Sequence, residues 1–196
     1  MEKKEPHPLL LRAIPEAQQL IRDDHFSLEN LCRALDCSLR ELAEAVGSLD
    51  EMMAHVNGQF MAGYVELADK VMADTADDGE AVKRLNQLWL EYALDHPKQM
   101  KVLLQHRWSP GFERPKWYMD QVAACFVPLE TRLRRLAPKA PPEAITAASR
   151  GMYAQGCGLY FLNMNERATP VGIASRQKVM DLSVGWMIKG LQAATN

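Results

Sequence analysis

Apolar residues recur along most of this chain at spacings of three and four, the period of amphipathic helices. Over residues 11–22, Ile14, Ala17, Leu20 and Ile21 share one face, and Pro15 fits the first turn of that helix. Ser27 reads as the N-cap of a second helix running to Leu35, with Leu28, Leu31 and Ala34 or Leu35 inward. Asp36-Cys37 is a tight turn. Ser38-Leu39-Arg40-Glu41 has the form of a capping box, so a third helix opens there and runs to Val46, with Gly47 ending it. Ser48-Leu49-Asp50-Glu51 is a second capping box and opens a long fourth helix to about Met72. After a polar loop at 74–79, a fifth helix over 80–96 carries Val82, Leu85, Trp89, Tyr92 and Ala93 on one face. Pro97 starts a shorter helix through Gln105, and 108–115, with two prolines and a glycine, reads as a loop. One long helix kinked at Pro128 is predicted for 116–136, then helices over 143–163 and 175–193.

Composition agrees. Val, Ile and Thr together number 21 of 196 residues, few for a protein built on sheets, so the expected fold is all-α. Apolar residues at 47% and charged ones at 24% suit a folded globular chain rather than a disordered one. No apolar run approaches the roughly 18–20 residues of a membrane helix, and the charged start of the chain, residues 1–5, has no signal-peptide pattern. Cys32, Cys37, Cys125 and Cys157 form no C-x-x-C and have no zinc-ligand spacing with histidine, which points to reduced thiols in a cytoplasmic protein without metal or cofactor. Phosphate-loop, dinucleotide, zinc-protease and nucleophile-elbow motifs are absent. His106 with Cys125 or Cys157 has no supporting spacing as a nucleophile pair, so no enzymatic activity is expected.

Two stretches resemble a known family. Ser27-Leu28-Glu29-Asn30-Leu31-Cys32-Arg33-Ala34-Leu35-Asp36-Cys37-Ser38 resembles the helix-turn-helix of TetR-family transcription regulators, T-v-x-x-I-A-x-x-A-G-V-S. The apolar phase continues through Leu42 and Val46 to Met52, where the family has L-Y-x-H-F-x-s-K-e-x-L. Asp95-His96-Pro97 looks like the family's E-H-P, and 151–159 resembles L-W-x-x-x-H-G-L of one ligand-domain subgroup. The resemblance implies a helix-turn-helix DNA-binding domain over 1–50 and a helical effector-binding and dimerisation domain over 51–196. It further implies a homodimeric repressor that holds operator DNA and is released by a small, largely apolar effector, with no membrane partner. This sequence departs from the pattern where phosphates are gripped: the family tyrosine, histidine, aromatic and lysine fall at Ala43, Ala45, Val46 and Leu49, and its turn glycine at Asp36. The loop between the first two helices is also about three residues shorter than is usual in the family.

The DNA-contacting positions implied are Ser27, Ser38, Leu39, Arg40, Glu41, Ala43 and Leu49. Ser27 and Ser38 would donate to phosphates and Arg40 would reach a guanine edge. Alternatively both serines are helix caps and Arg40 is a solvated charge. Residues 1–47 hold six Lys/Arg against nine Asp/Glu, an acidic balance for a DNA-reading unit. A second reading therefore stands: a TetR-like protein that has lost DNA binding and works as a ligand-binding or protein-interaction module. Aromatic and soft residues gather between Trp89 and Phe161, and the candidate ligand-binding set is Trp89, Tyr92, Met100, Trp108, Tyr118, Phe126, Tyr153 and Cys157. Tyr153 and Cys157, four apart, match the subgroup's tryptophan and histidine. The last two helices are apolar on more than one side, with rows Tyr153, Gly156, Tyr160, Met164 and Val179, Leu182, Trp186. Tyr160, Val179, Leu182 and Trp186 are the expected dimer contacts in a two-fold four-helix interface.

Overall fold

The computed structural model describes residues 7–164 and 176–193, and all its regular structure there is helical. The elements are α1 (Pro8–Arg22), α2 (Leu28–Leu35), α3 (Leu39–Val46), α4 (Leu49–Asp74), α5 (Asp78–Asp95), α6 (Pro97–Gln105), α7 (Lys116–Ala124), α8 (Val127–Leu136), α9 (Pro142–Met164) and α10 (Arg176–Ala193). No described helix is long and apolar enough to cross a membrane. The leader 1–5, the start of the last helix at Ser175 and the side chain of Met164 lie outside the described residues.

Two of the expected elements differ. α1 begins at Pro8, capped by the His7 ring, which accepts from Leu9 N at 3.2 Å, so Pro15 lies inside the helix and not in its first turn. Burial of Leu10, Ala13, Ala17 and Ile21, spaced three or four apart, outweighs the backbone bond that Pro15 cannot make. The predicted helix 116–136 is two helices, broken at Cys125-Phe126 and not kinked. Pro128 sits in the first turn of α8, where its missing N–H costs nothing, and Phe126 takes the N-cap position.

The described residues group into two compact units, one within Met1–Ala62 and His96–Val122, the other within Gly63–Asp95 and Ala123–Asn196. α4 contributes residues to both. In the first unit, α1 packs on α2, α3 and α6. Its core holds Ala13, Ala17 and Ile21 with Leu31, Leu35, Leu42, Met52, Met53 and Val56. The α2–α3 turn works because Asp36 accepts the left-handed conformation (φ 52°, ψ 52°), while Cys37 N donates to Cys32 O at 3.0 Å. This is a Schellman-type stop with aspartate where glycine is usual. Arg12 adds a guanidinium bond to Leu35 O at 3.2 Å.

In the second unit, α5 packs against α8, α9 and α10. Val82, Leu85, Leu133, Ile145, Met152 and Val184 are almost wholly excluded from solvent. The α4–α5 corner is held by Arg132, buried, which donates to Met72 O at 2.7 Å and Thr75 O at 2.8 Å and pairs with Asp78 at 2.6 Å. The carbonyls at the end of α4 thus find a cation, as helix C-termini favour.

Candidate functional sites

Both capping boxes form. Ser27 Oγ accepts from Asn30 N at 3.1 Å. Ser38 Oγ accepts from Glu41 N at 3.2 Å, while Glu41 Oε2 accepts from Ser38 N at 2.8 Å and from its hydroxyl at 2.7 Å. Those bonds hold Glu41 below the usual carboxylate range. Ser48 and Glu51 repeat the arrangement at the head of α4. The α2–α3 face therefore presents Ser38, Leu39, Arg40, Glu41, Ala43 and Leu49 outward, with Ser27 half-buried. Arg40 is tied to Glu44 at 2.8 Å. Leu39 and Leu49, 57% and 45% exposed, border a small apolar dimple that also involves Leu28, Leu42, Val46 and Met52.

The candidate ligand residues fall in two places. Met100, Trp108 and Tyr118 belong to the first unit, where Trp108 stacks on Phe112 at 5.4 Å and meets Tyr118 edge-on at 5.5 Å. Met100 and Tyr118 are buried. Next to them stands a contact the sequence did not suggest. Asp50, in the first turn of α4, accepts from Ser109 N at 3.0 Å and pairs with His106 Nε2 at 2.8 Å. Bonds from Ser109 first, and then from His106, hold the Asp50 carboxyl below its ordinary range. His106 and Asp50 are 56 residues apart, so no local motif announces the pair. Further along α4, His55 stacks on Trp117 at 4.6 Å, and burial pushes its imidazole below the usual value.

Trp89, Tyr92, Phe126, Tyr153 and Cys157 come together in the second unit. Trp89 meets Tyr64 at 5.3 Å and Tyr153 at 5.1 Å, and Tyr153 meets Phe126 at 5.5 Å. Arg150 lies over the Phe126 ring at 3.3 Å, a cation–π contact. Gly156 lets the indole close in, because a Cβ there would stand 2.6 Å from Trp89 Cδ1. The Trp89 Nε1 donor and the Gln155 Oε1 acceptor are buried and make no hydrogen bond of ordinary geometry, the Cys157 thiol being the polar group that approaches Trp89. Burial pushes Tyr92 and Cys125 each to about 12 and raises Cys157, so these thiols are poor nucleophiles at neutral pH. No group of three or more metal-ligating side chains exists among the described residues.

On α10, Val179, Leu182 and Trp186 lie three and four residues apart and are 40%, 47% and 68% exposed. An added Cβ at Gly158 of α9, or at Gly185 or Gly190 of α10, would meet nothing within 4 Å. Tyr160 differs from these dimer candidates, since it is buried within its own protomer.

No protein-family model matches the sequence, and no curated protein matches it. Solved structures do share the fold. A protein of unknown function from a Rhodococcus species has a TM-score of 0.71 at 13% identity, over 98% of this chain and all of its own. A possible TetR-family regulator from Streptomyces coelicolor gives 0.65 at 14%, over 94% of this chain and 99% of that one. The TetR-family regulator PfmR from Thermus thermophilus gives 0.58 at 19%, over 91% and 97%. The chain thus has the all-α fold of TetR-family transcriptional regulators.

Proposed function

We propose that this protein is a transcriptional regulator of the TetR type, acting as a homodimer that binds operator DNA and is released by a small effector. The observation that carries the reading is the α2–turn–α3 unit. Its left-handed Asp36, the Ser27 cap and the Ser38–Glu41 capping box support a helix-turn-helix although the usual glycine is absent. Leu39, Arg40 and Ala43 face outward from α3 and are the residues to enter the major groove. Dimerisation would cover Val179, Leu182 and Trp186, an apolar row too exposed to leave in water without a partner. The effector belongs beside Trp89, Tyr153, Phe126 and Cys157. There a ligand acceptor would satisfy Trp89 Nε1 amid apolar rings. α4, with residues in both units, would carry the change by shifting populations.

One observation favours a second reading. Arg40 is occupied by Glu44, and the surface around it is apolar at Leu39 and Leu49 and acidic at Glu41 and Glu44. Such a face suits a protein partner. In vitro selection from random DNA at low salt separates the two. Enrichment of an inverted repeat with half-sites about one helical turn apart supports operator binding, and recovery of no sequence above background refutes it. Sedimentation of the protein and its Trp186→Glu variant checks the dimer.

A further inference from the structure

We infer that the first unit holds a binding site for a small amphipathic anion, a monocarboxylate with an aliphatic tail, separate from the Trp89 cluster. A cleft of about 360 Å³ opens among α1, α4 and α6. That size falls within the usual range for small-molecule sites. Its apolar wall is Ile21, Phe26, Leu49, Met53 and Val102. Its polar side is mostly one stripe of α6, in which Lys98, Lys101, Val102 and Gln105 recur at three- and four-residue spacing and so share a helix face.

Charge selects the ligand class. The lysine ion pairs among the described residues are those of Lys83 and Lys116. Lys98, half-buried, and Lys101 therefore line the cleft as ammonium groups with no described carboxylate within ion-pairing distance. His106 also lines it, but its Nε2 is engaged by Asp50. Asp24 is the one carboxylate among the described residues that line the cleft, so the two ammonium groups outnumber it and an anion is favoured over a cation. An aliphatic tail against Phe26, Met53 and Val102 with its carboxylate at Lys98 and Lys101 uses both halves of the lining. Phe26 directly precedes the Ser27 cap of α2, and Leu49 opens α4. An occupant would thus sit against the helix-turn-helix itself.

The test is isothermal titration of the full chain with octanoate, beside octanol and octylammonium, together with amide chemical shifts. Octanoate is expected to bind at least about tenfold more tightly than either analogue, the weight of a charge-assisted contact, and to move the amides of Phe26, Met53 and Val102. The double variant Lys98→Glu, Lys101→Glu is expected to lose that preference. No octanoate binding, equal binding of octanol, or shifts confined to Trp89 and Tyr153 would overturn the inference. So would undiminished binding by the folded double variant. If that variant does not fold, the comparison of octanoate with octanol on the unaltered protein decides alone. DNA binding plays no part in this experiment, so its outcome is independent of the function proposed above.

Discussion

From α2 to the head of α4 the protein satisfies its own polar side chains. Ser27, Ser38, Glu41, Ser48 and Glu51 are used on helix N-termini, and Arg40 on Glu44. In the second unit the reverse holds, since Trp89 Nε1, beside the Tyr64 and Tyr153 rings, and Gln155 Oε1 are buried without a hydrogen bond of ordinary geometry. A buried unpaired polar atom costs about 1–3 kcal/mol, and a ligand that supplies its partner recovers much of that. The contrast says where binding energy is available. The aromatic cluster has it stored, whereas the α3 face must break internal bonds before it can make external ones.

Among the described residues of the second unit, Arg132 is the side chain whose loss is expected to cost most. Arg132→Met leaves Asp78 with the longer Arg135 contact at 3.5 Å and frees the carbonyls of Met72 and Thr75, with an expected loss of about 3 kcal/mol. Urea unfolding measures it. The same ion pair sets a pH dependence. Arg132 holds the Asp78 carboxyl below the ordinary value. The pair's contribution is therefore complete above the unfolded aspartate value, near 3.9, and is lost as pH falls through the lower folded value. The Asp50 carboxyl, held down by Ser109 and His106, adds in the same direction. Wild-type stability should fall steeply in that acid window, and Asp78→Asn should flatten the fall.

A smaller effect probes the aromatic cluster directly. In Gly156→Ala the new Cβ meets Trp89 Cδ1 at 2.6 Å. Overpacking costs about 1–3 kcal/mol while helix propensity returns about 1. The net expected loss is about 1 kcal/mol, with a shifted tryptophan emission spectrum. An unchanged spectrum would mean the indole does not rest on Gly156. Ser38→Ala, on the other side of the comparison, should cost about 1 kcal/mol through the lost cap alone. Denaturant titration checks it, and a loss near zero would show that Ser38 does not cap α3.

Much of this was legible in the residues. The capping boxes at Ser38 and Ser48 and the stop at Gly47 are local chemistry, so spacing alone locates α3 and the start of α4. Pro128 was harder, because a proline marks a kink and a first turn alike, and only the surrounding packing decides between them. Pro15 went the same way, since burial of α1 overrides a local cost. The Asp50–His106 pair, the Arg132 corner and the cleft beneath α6 join residues far apart in sequence, where no periodicity carries a signal. The candidate ligand residues looked like one aromatic set, yet Met100, Trp108 and Tyr118 belong to one compact unit and the other five to the second.

The finest test of the contrast is Glu44→Gln. Both partners of the Arg40–Glu44 pair are largely solvent-exposed, so breaking it should change stability by no more than about 0.5 kcal/mol. Its effect on binding should be larger. Freed from Glu44, Arg40 gains reach toward phosphate or a guanine edge, and α3 loses a negative charge. If the α3 face reads DNA, affinity for a selected operator should rise several-fold, and the slope of log affinity against log salt should steepen by up to about one unit. Filter binding across a salt series reads both. If the face docks a protein partner through Leu39 and Leu49, Glu44→Gln leaves the salt slope of any residual DNA binding unchanged, because Arg40 then makes no phosphate contact to gain.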